Sequence, residues 1–81
     1  MTISIQFFGT QRNITRTDSI CMPFTEKTSV TDALEYVRSL YPALHLDKGM
    51  VHATVNQHIV SLDTELRKND TVIFLPHIGG G

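Results

Sequence analysis

Apolar and polar residues alternate from Thr2 to Phe8, with Ile3, Ile5 and Phe7 on one side and Ser4, Gln6 and Phe8 on the other. A period of two predicts a strand with one well-buried face. Gly9 breaks the pattern, and the polar, aperiodic stretch GTQRNITRTD predicts a loop. Alternation resumes from Ser19 to Phe24, with Ile20, Met22 and Phe24 in step. Pro23 limits this second strand to a sheet edge or a strand end. The two strands suggest a hairpin with a long connection.

The period then changes. Val30, Ala33, Leu34, Val37 and Leu40 recur at helical spacing on one stripe, while Glu35 and Arg38 fall on the other side. Ser29 followed three residues later by Asp32 has the spacing of a capping box. Pro42 stops the helix after about three turns. Alternation returns at Val51–Val55, and Asn56-Gln57 predicts a turn into a short return strand at Ile59-Val60. Lys68–Asp70 reads as a turn before the last strand, Thr71 to Leu75, with Val72 and Phe74 on one side and Ile73 and Leu75 on the other. Pro76 ends that ladder.

The order β-β-α-β-β-β predicts an α+β domain. It fits a ubiquitin-like β-grasp: a mixed four- to five-stranded sheet, one main helix packed on one face, and the last strand central beside the first. Residues 1–75 form the domain and residues 76–81 a tail. One helix covers one sheet face, so Phe8, Ile73 and Leu75, with Ile59 as a possible neighbour, look away from it. Contiguous apolar residues there would mark a contact surface; the alternative is that the sheet curls and loops cover them.

Composition narrows the function classes. A chain of 81 residues makes one small domain near the limit where a single core suffices. A net charge of −1 gives no electrostatic support for binding nucleic acid. No apolar run approaches the roughly 20 residues of a membrane span, and the N-terminus lacks a signal-peptide pattern, so a soluble cytoplasmic protein is expected. The lone Cys21 excludes an intramolecular disulfide and is read as a buried, inert thiol. Asn13-Ile14-Thr15 matches a glycosylation triplet by chance. His45, His52, His58 and His77 lack ligand spacing, so no metal is expected. The acids read as caps and solvated surface, and no glycine-rich loop joins a strand to a helix to cradle phosphate.

The chain closes on FLPHIGGG. Three glycines without Cβ atoms let other atoms approach closely. From Pro76 to Gly81 the chain reaches at most about 20 Å, enough to carry a terminal carboxylate into a narrow channel of another protein. Such a carboxylate can attack the α-phosphate of ATP, and the mixed anhydride can be captured by sulfur or an amine. The alternative is a frayed terminus.

FFGTQR at Phe7–Arg12, the helix after TSV, VNQHIVSLDTELRKNDTVIFLP at Val55–Pro76 and the final Gly80-Gly81 together resemble the ThiS/MoaD family of ubiquitin-like sulfur carriers, most closely its MoaD branch. The resemblance covers nearly the whole chain, and Val55–Pro76 is its most specific part. It implies a non-catalytic small subunit of molybdopterin synthase, a protein co-substrate rather than an enzyme. Gly81 would be adenylated and then thiocarboxylated, with Gly80 its slender neighbour. No cofactor would be bound, ATP being used by the activating partner. The implied partners are a ubiquitin-activating-enzyme-like adenylyltransferase, a sulfur donor protein and the large synthase subunit. Phe8, Ile59 and Leu75 match apolar partner-contact positions, and Pro76, His77, Ile78 and Gly79 belong to the inserted tail. Two departures stand out: His77 replaces a second proline, and three glycines replace two. Carriers for thiamine thiazole, cysteine or tRNA thiolation, and ubiquitin-like protein modifiers, are the alternatives.

Overall fold

The computed structural model describes residues 1–46, 49 and 51–76. Five strands and two α-helices follow in the order β1 (Thr2–Gln6), α1 (Gln11–Thr15), β2 (Ser19–Pro23), α2 (Val30–Leu40), β3 (Val51–Val55), β4 (His58–Val60) and β5 (Thr71–Pro76). A 3-10 turn, Pro42–Leu44, follows α2. The sheet order is β2-β1-β5-β3-β4. β1 and β5 run parallel at its centre, and every other pairing is antiparallel. This is the mixed, five-stranded β-grasp sheet expected from the element order.

Helix α2 forms where the sequence places it, and its first turn is fully satisfied. The Ser29 Oγ accepts from the Asp32 N–H at 3.2 Å, and the Asp32 carboxylate accepts from the Ser29 N–H at 2.8 Å. The N–H groups of Val30 and Thr31 donate to the carbonyls of Thr64 and Leu62 in the loop after β4. The helix therefore offers no spare donors at its positive end, where a phosphate would otherwise sit. At its other end Tyr41 precedes Pro42, whose ring disfavours helical backbone, and Tyr41 leaves the helix at φ −133°, ψ 69°.

The alternation sorts the sheet into two faces. Ile3, Ile5, Met22, Ala53, Val72 and Phe74 are buried against Val30, Ala33, Leu34 and Val37 of α2. Phe7 joins them, its ring meeting Tyr41 edge-on with centroids 5.6 Å apart. The Asn56-Gln57 turn is as predicted: both residues have positive φ (51° and 75°), the geometry of a two-residue hairpin that Asn tolerates.

Four expectations are corrected. The stretch after Gly9 is not all loop, since Gln11–Thr15 forms the short helix α1. Leu40 lies on the predicted stripe but is exposed, as the last residue of α2. Cys21 is exposed rather than buried: it pairs with Ser4 on the sheet face that α2 does not cover. The last strand also runs one residue beyond Leu75, as Pro76 pairs with Val51.

Ser29→Ala removes the cap and both of its side-chain contacts. It is expected to lower unfolding free energy by about 1 kcal/mol, read as a lower urea midpoint at an unchanged slope.

Candidate functional site

The uncovered sheet face is built by register. Gln6 pairs with Ile73, Ile73 with Thr54, and Thr54 with Ile59, so these four side chains form one row across β1, β5, β3 and β4. Leu75 pairs with His52 and stands one step further along the same face of β5. Ile59 lies two strands from Ile73, roughly 10 Å away at ordinary strand spacing. Ile59 is 76% exposed and Phe8 50%, while Ile73 and Leu75 are half-buried. Beside this row, Gln6, Asn56, Gln57, Thr71 and Ile73 line a recess of about 310 Å³.

No strand residue is Asp, Glu, Lys or Arg. The charges sit on the helices and in the loops. A solvent-facing sheet surface without one formal charge is unusual for a chain that is 19% charged. Depletion of charge with apolar residues at the centre is the composition of a protein–protein contact. Among the described residues, no group of three or more His, Cys, Asp or Glu is placed to hold a metal ion. No helix among them is long and apolar enough to cross a membrane.

Phe8 lies just beyond the end of β1, is 50% exposed, and is held there by Gln11. After Gln6 the chain leaves the ladder and turns at Gly9, whose φ of +44° is one that L side chains rarely adopt. Gln11 then folds back. Its Oε1 accepts from the Phe8 N–H at 2.8 Å, and its Nε2 donates to the Phe74 carbonyl at 2.8 Å. The FFGTQR stretch therefore has a structural reason beyond its two aromatic residues. Phe7 enters the core, Phe8 is presented outward, Gly9 turns the chain, and Gln11 secures the turn to β5.

The start of β5 is held in the same way by Asn56. Its Oδ1 accepts from the Thr71 N–H and its Nδ2 donates to the Asp70 carboxylate, both at 3.0 Å. Asp70 in turn accepts from the Arg67 N–H at 2.8 Å. Asn56 and Asp70 both lie in the Val55–Pro76 stretch that stood out in sequence, but they read there only as turn residues. Gln11 read as part of a loop. The signal that could have found it is a polar, unbranched side chain placed just after a glycine that interrupts a strand.

The structure thus groups Leu75 and Ile59 on one side of the sheet with Ile73, leaves Phe8 exposed just beyond the end of β1, and places the backbone of Pro76 at the end of β5. His77, Ile78, Gly79, Gly80 and Gly81 lie outside the described residues.

The model of the ThiS family matches residues 5–81. No curated protein matches the chain in sequence. Among solved structures, the putative molybdopterin converting factor, subunit 1, of Pyrococcus furiosus aligns with a TM-score of 0.80 at 22% identity, over 96% of this chain and 99% of its own. Small archaeal modifier protein 1 of Methanosarcina acetivorans aligns with a TM-score of 0.78 at 20% identity, over 99% and 96%. A chain in the complex of subunits 1 and 2 of the molybdopterin-converting factor of Helicobacter pylori aligns with a TM-score of 0.63 at 22% identity, over the whole of both chains. At these identities the likeness is one of fold.

A matched pair of substitutions tests the assignment of the two faces. Ile59→Thr on the open face is expected to change stability by less than about 0.5 kcal/mol. Ile5→Thr, the same chemistry at a fully buried position, is expected to cost about 2 kcal/mol or more, from lost packing and a buried hydroxyl. Urea unfolding reads both.

Proposed function

We propose a function from one premise: the chain belongs to the ThiS family, ubiquitin-like carriers and modifiers of small size. Within it, we read this protein as a sulfur carrier, the non-catalytic small subunit of a molybdopterin synthase, working in the cytoplasm. The observation that supports this most is that the family match runs through the glycines to residue 81. The uncharged open face supports it independently, as a surface on which larger partners can seat.

In this reading the reactive group is the Gly81 carboxylate, and the machinery belongs to partners. A carboxylate oxygen attacks the α-phosphate of ATP held by a ubiquitin-activating-enzyme-like adenylyltransferase, and pyrophosphate leaves. Sulfur from a donor protein then attacks the acyl carbon, and AMP leaves. If the donor sulfur is a persulfide, the product is an acyl disulfide; a second thiol attacks the donor's sulfur, the S–S bond breaks, a thiocarboxylate is left on Gly81 and the donor is left as a disulfide. The large synthase subunit accepts the tail and passes the sulfur to the pterin precursor. Phe8, Ile59 and Leu75 seat the partners. Gly79, Gly80 and Gly81 fit a channel too narrow for side chains, and Pro76, His77 and Ile78 span the distance to it.

The solved Helicobacter pylori complex, in which a similarly folded chain is paired with a second subunit, favours the synthase reading. The Methanosarcina acetivorans modifier fits nearly as well as the Pyrococcus furiosus converting factor, with TM-scores of 0.78 and 0.80. That near-equality supports a second reading, in which the activated Gly81 forms isopeptide bonds with lysines. Sulfur delivery to thiazole, cysteine or tRNA would use the same activated tail.

Intact-mass analysis after incubation with the adenylyltransferase, ATP and a sulfur donor separates these readings. A carrier gains the mass of one oxygen-to-sulfur exchange, and deletion of Gly81 abolishes the gain while leaving the unfolding midpoint unchanged. A modifier gives Gly81-dependent species of higher mass that survive denaturation and reduction. Absence of both products contradicts the family chemistry for this chain.

A further inference from the structure

The parallel pairing of β1 with β5 ends at Gln6 and Ile73. β5 continues through Phe74, Leu75 and Pro76, paired there with β3 on one side. On the other side β1 has already turned away, and a backbone rung is missing. The side-chain amide of Gln11 takes its place. It is nearly fully buried, at 7% exposure, and its two side-chain hydrogen bonds join Phe8 to Phe74, the second of them spanning the 63 residues between Gln11 and Phe74. The Gln11 N–H also donates to the Phe8 carbonyl at 2.8 Å. One residue thus grips both backbone groups of Phe8 and the strand from which the tail leaves.

The geometry points to Gln11 as a positioning residue for activation of the terminal carboxylate. It locks the Phe8 contact and the exit of the chain at Pro76 into one rigid body, so that a partner seated on the open face receives the tail at a fixed angle. Gln11 itself touches no reacting atom. This inference rests on the carrier reading above. Misplacement of a reacting group by about 1 Å costs up to about 100-fold in rate, so a small loss of alignment at the root of the tail is amplified at its end.

Two substitutions remove the bridge in different ways. Gln11→Met keeps the volume and loses both side-chain hydrogen bonds. Gln11→Glu keeps the acceptor for the Phe8 N–H but faces the Phe74 carbonyl with a second acceptor. Met22→Ala, a core change beneath α2, serves as the control for lost stability alone. Each protein is assayed at a temperature where circular dichroism shows it folded. The assay is ATP–pyrophosphate exchange with the cognate adenylyltransferase, with the carrier as varied substrate. Both Gln11 variants are expected to lower kcat roughly 10- to 100-fold, with a smaller change in KM. Met22→Ala is expected to retain the wild-type kcat. An unchanged kcat in the Gln11 variants, an equal fall in Met22→Ala, or loss of the fold in both Gln11 variants overturns the positioning role while leaving the carrier reading intact. No exchange with the wild-type chain overturns the carrier reading, and this inference with it.

Discussion

The parallel contact between β1 and β5 organises the molecule. It joins residues near the two ends of the chain, Ser4 with Thr71 and Gln6 with Ile73, so nearly everything else lies between the paired segments. Parallel neighbours need a crossover, and the crossover here contains α2. A single three-turn helix covers one side of a five-stranded sheet and no more. The open face is therefore a direct consequence of the pairing, and so is the central position of the strand that ends at Pro76.

That constraint links packing to function. Because β5 is central rather than at an edge, it is held on both sides near its end. β3 holds one side through Val51, and Gln11 holds the other through Phe74. Asn56 secures the beginning of the same strand. Under the proposed carrier function a rigid root serves a tail that must reach into another protein, since each loose bond there would multiply the positions of its end. The strands of the open face beside that root carry no Asp, Glu, Lys or Arg, a composition that fits the docking surface proposed for it.

Much of this fold was legible in the chain. The Ser29–Asp32 spacing, the change of period and Pro42 marked α2 correctly, since its ends depend on local chemistry. The two alternating sets on β1 and β5 assigned Ile3, Ile5, Val72 and Phe74 to the core and Ile73 and Leu75 to the open side. What escaped depends on distant partners. α1 has only five residues, shows no apolar period, and is secured by a hydrogen bond to a carbonyl 63 residues away. Cys21 looked buried because thiols usually are, but its place in the alternation puts it opposite Ile20 and Met22, on the open face. Leu40 obeys the helical period and is exposed as the last residue of α2, which periodicity alone does not show.

The central claim is that the open face and the root of the tail act as one docking unit. Mapping of amide chemical-shift changes on the isotope-labelled chain, titrated with its adenylyltransferase, tests this most directly. The predicted perturbations cluster at Phe8, Gln11, Ile59, Ile73 and Leu75, together with the terminal glycines. Perturbations centred on the exposed side of α2, around Glu35 and Ser39, with the sheet face unchanged, would contradict it.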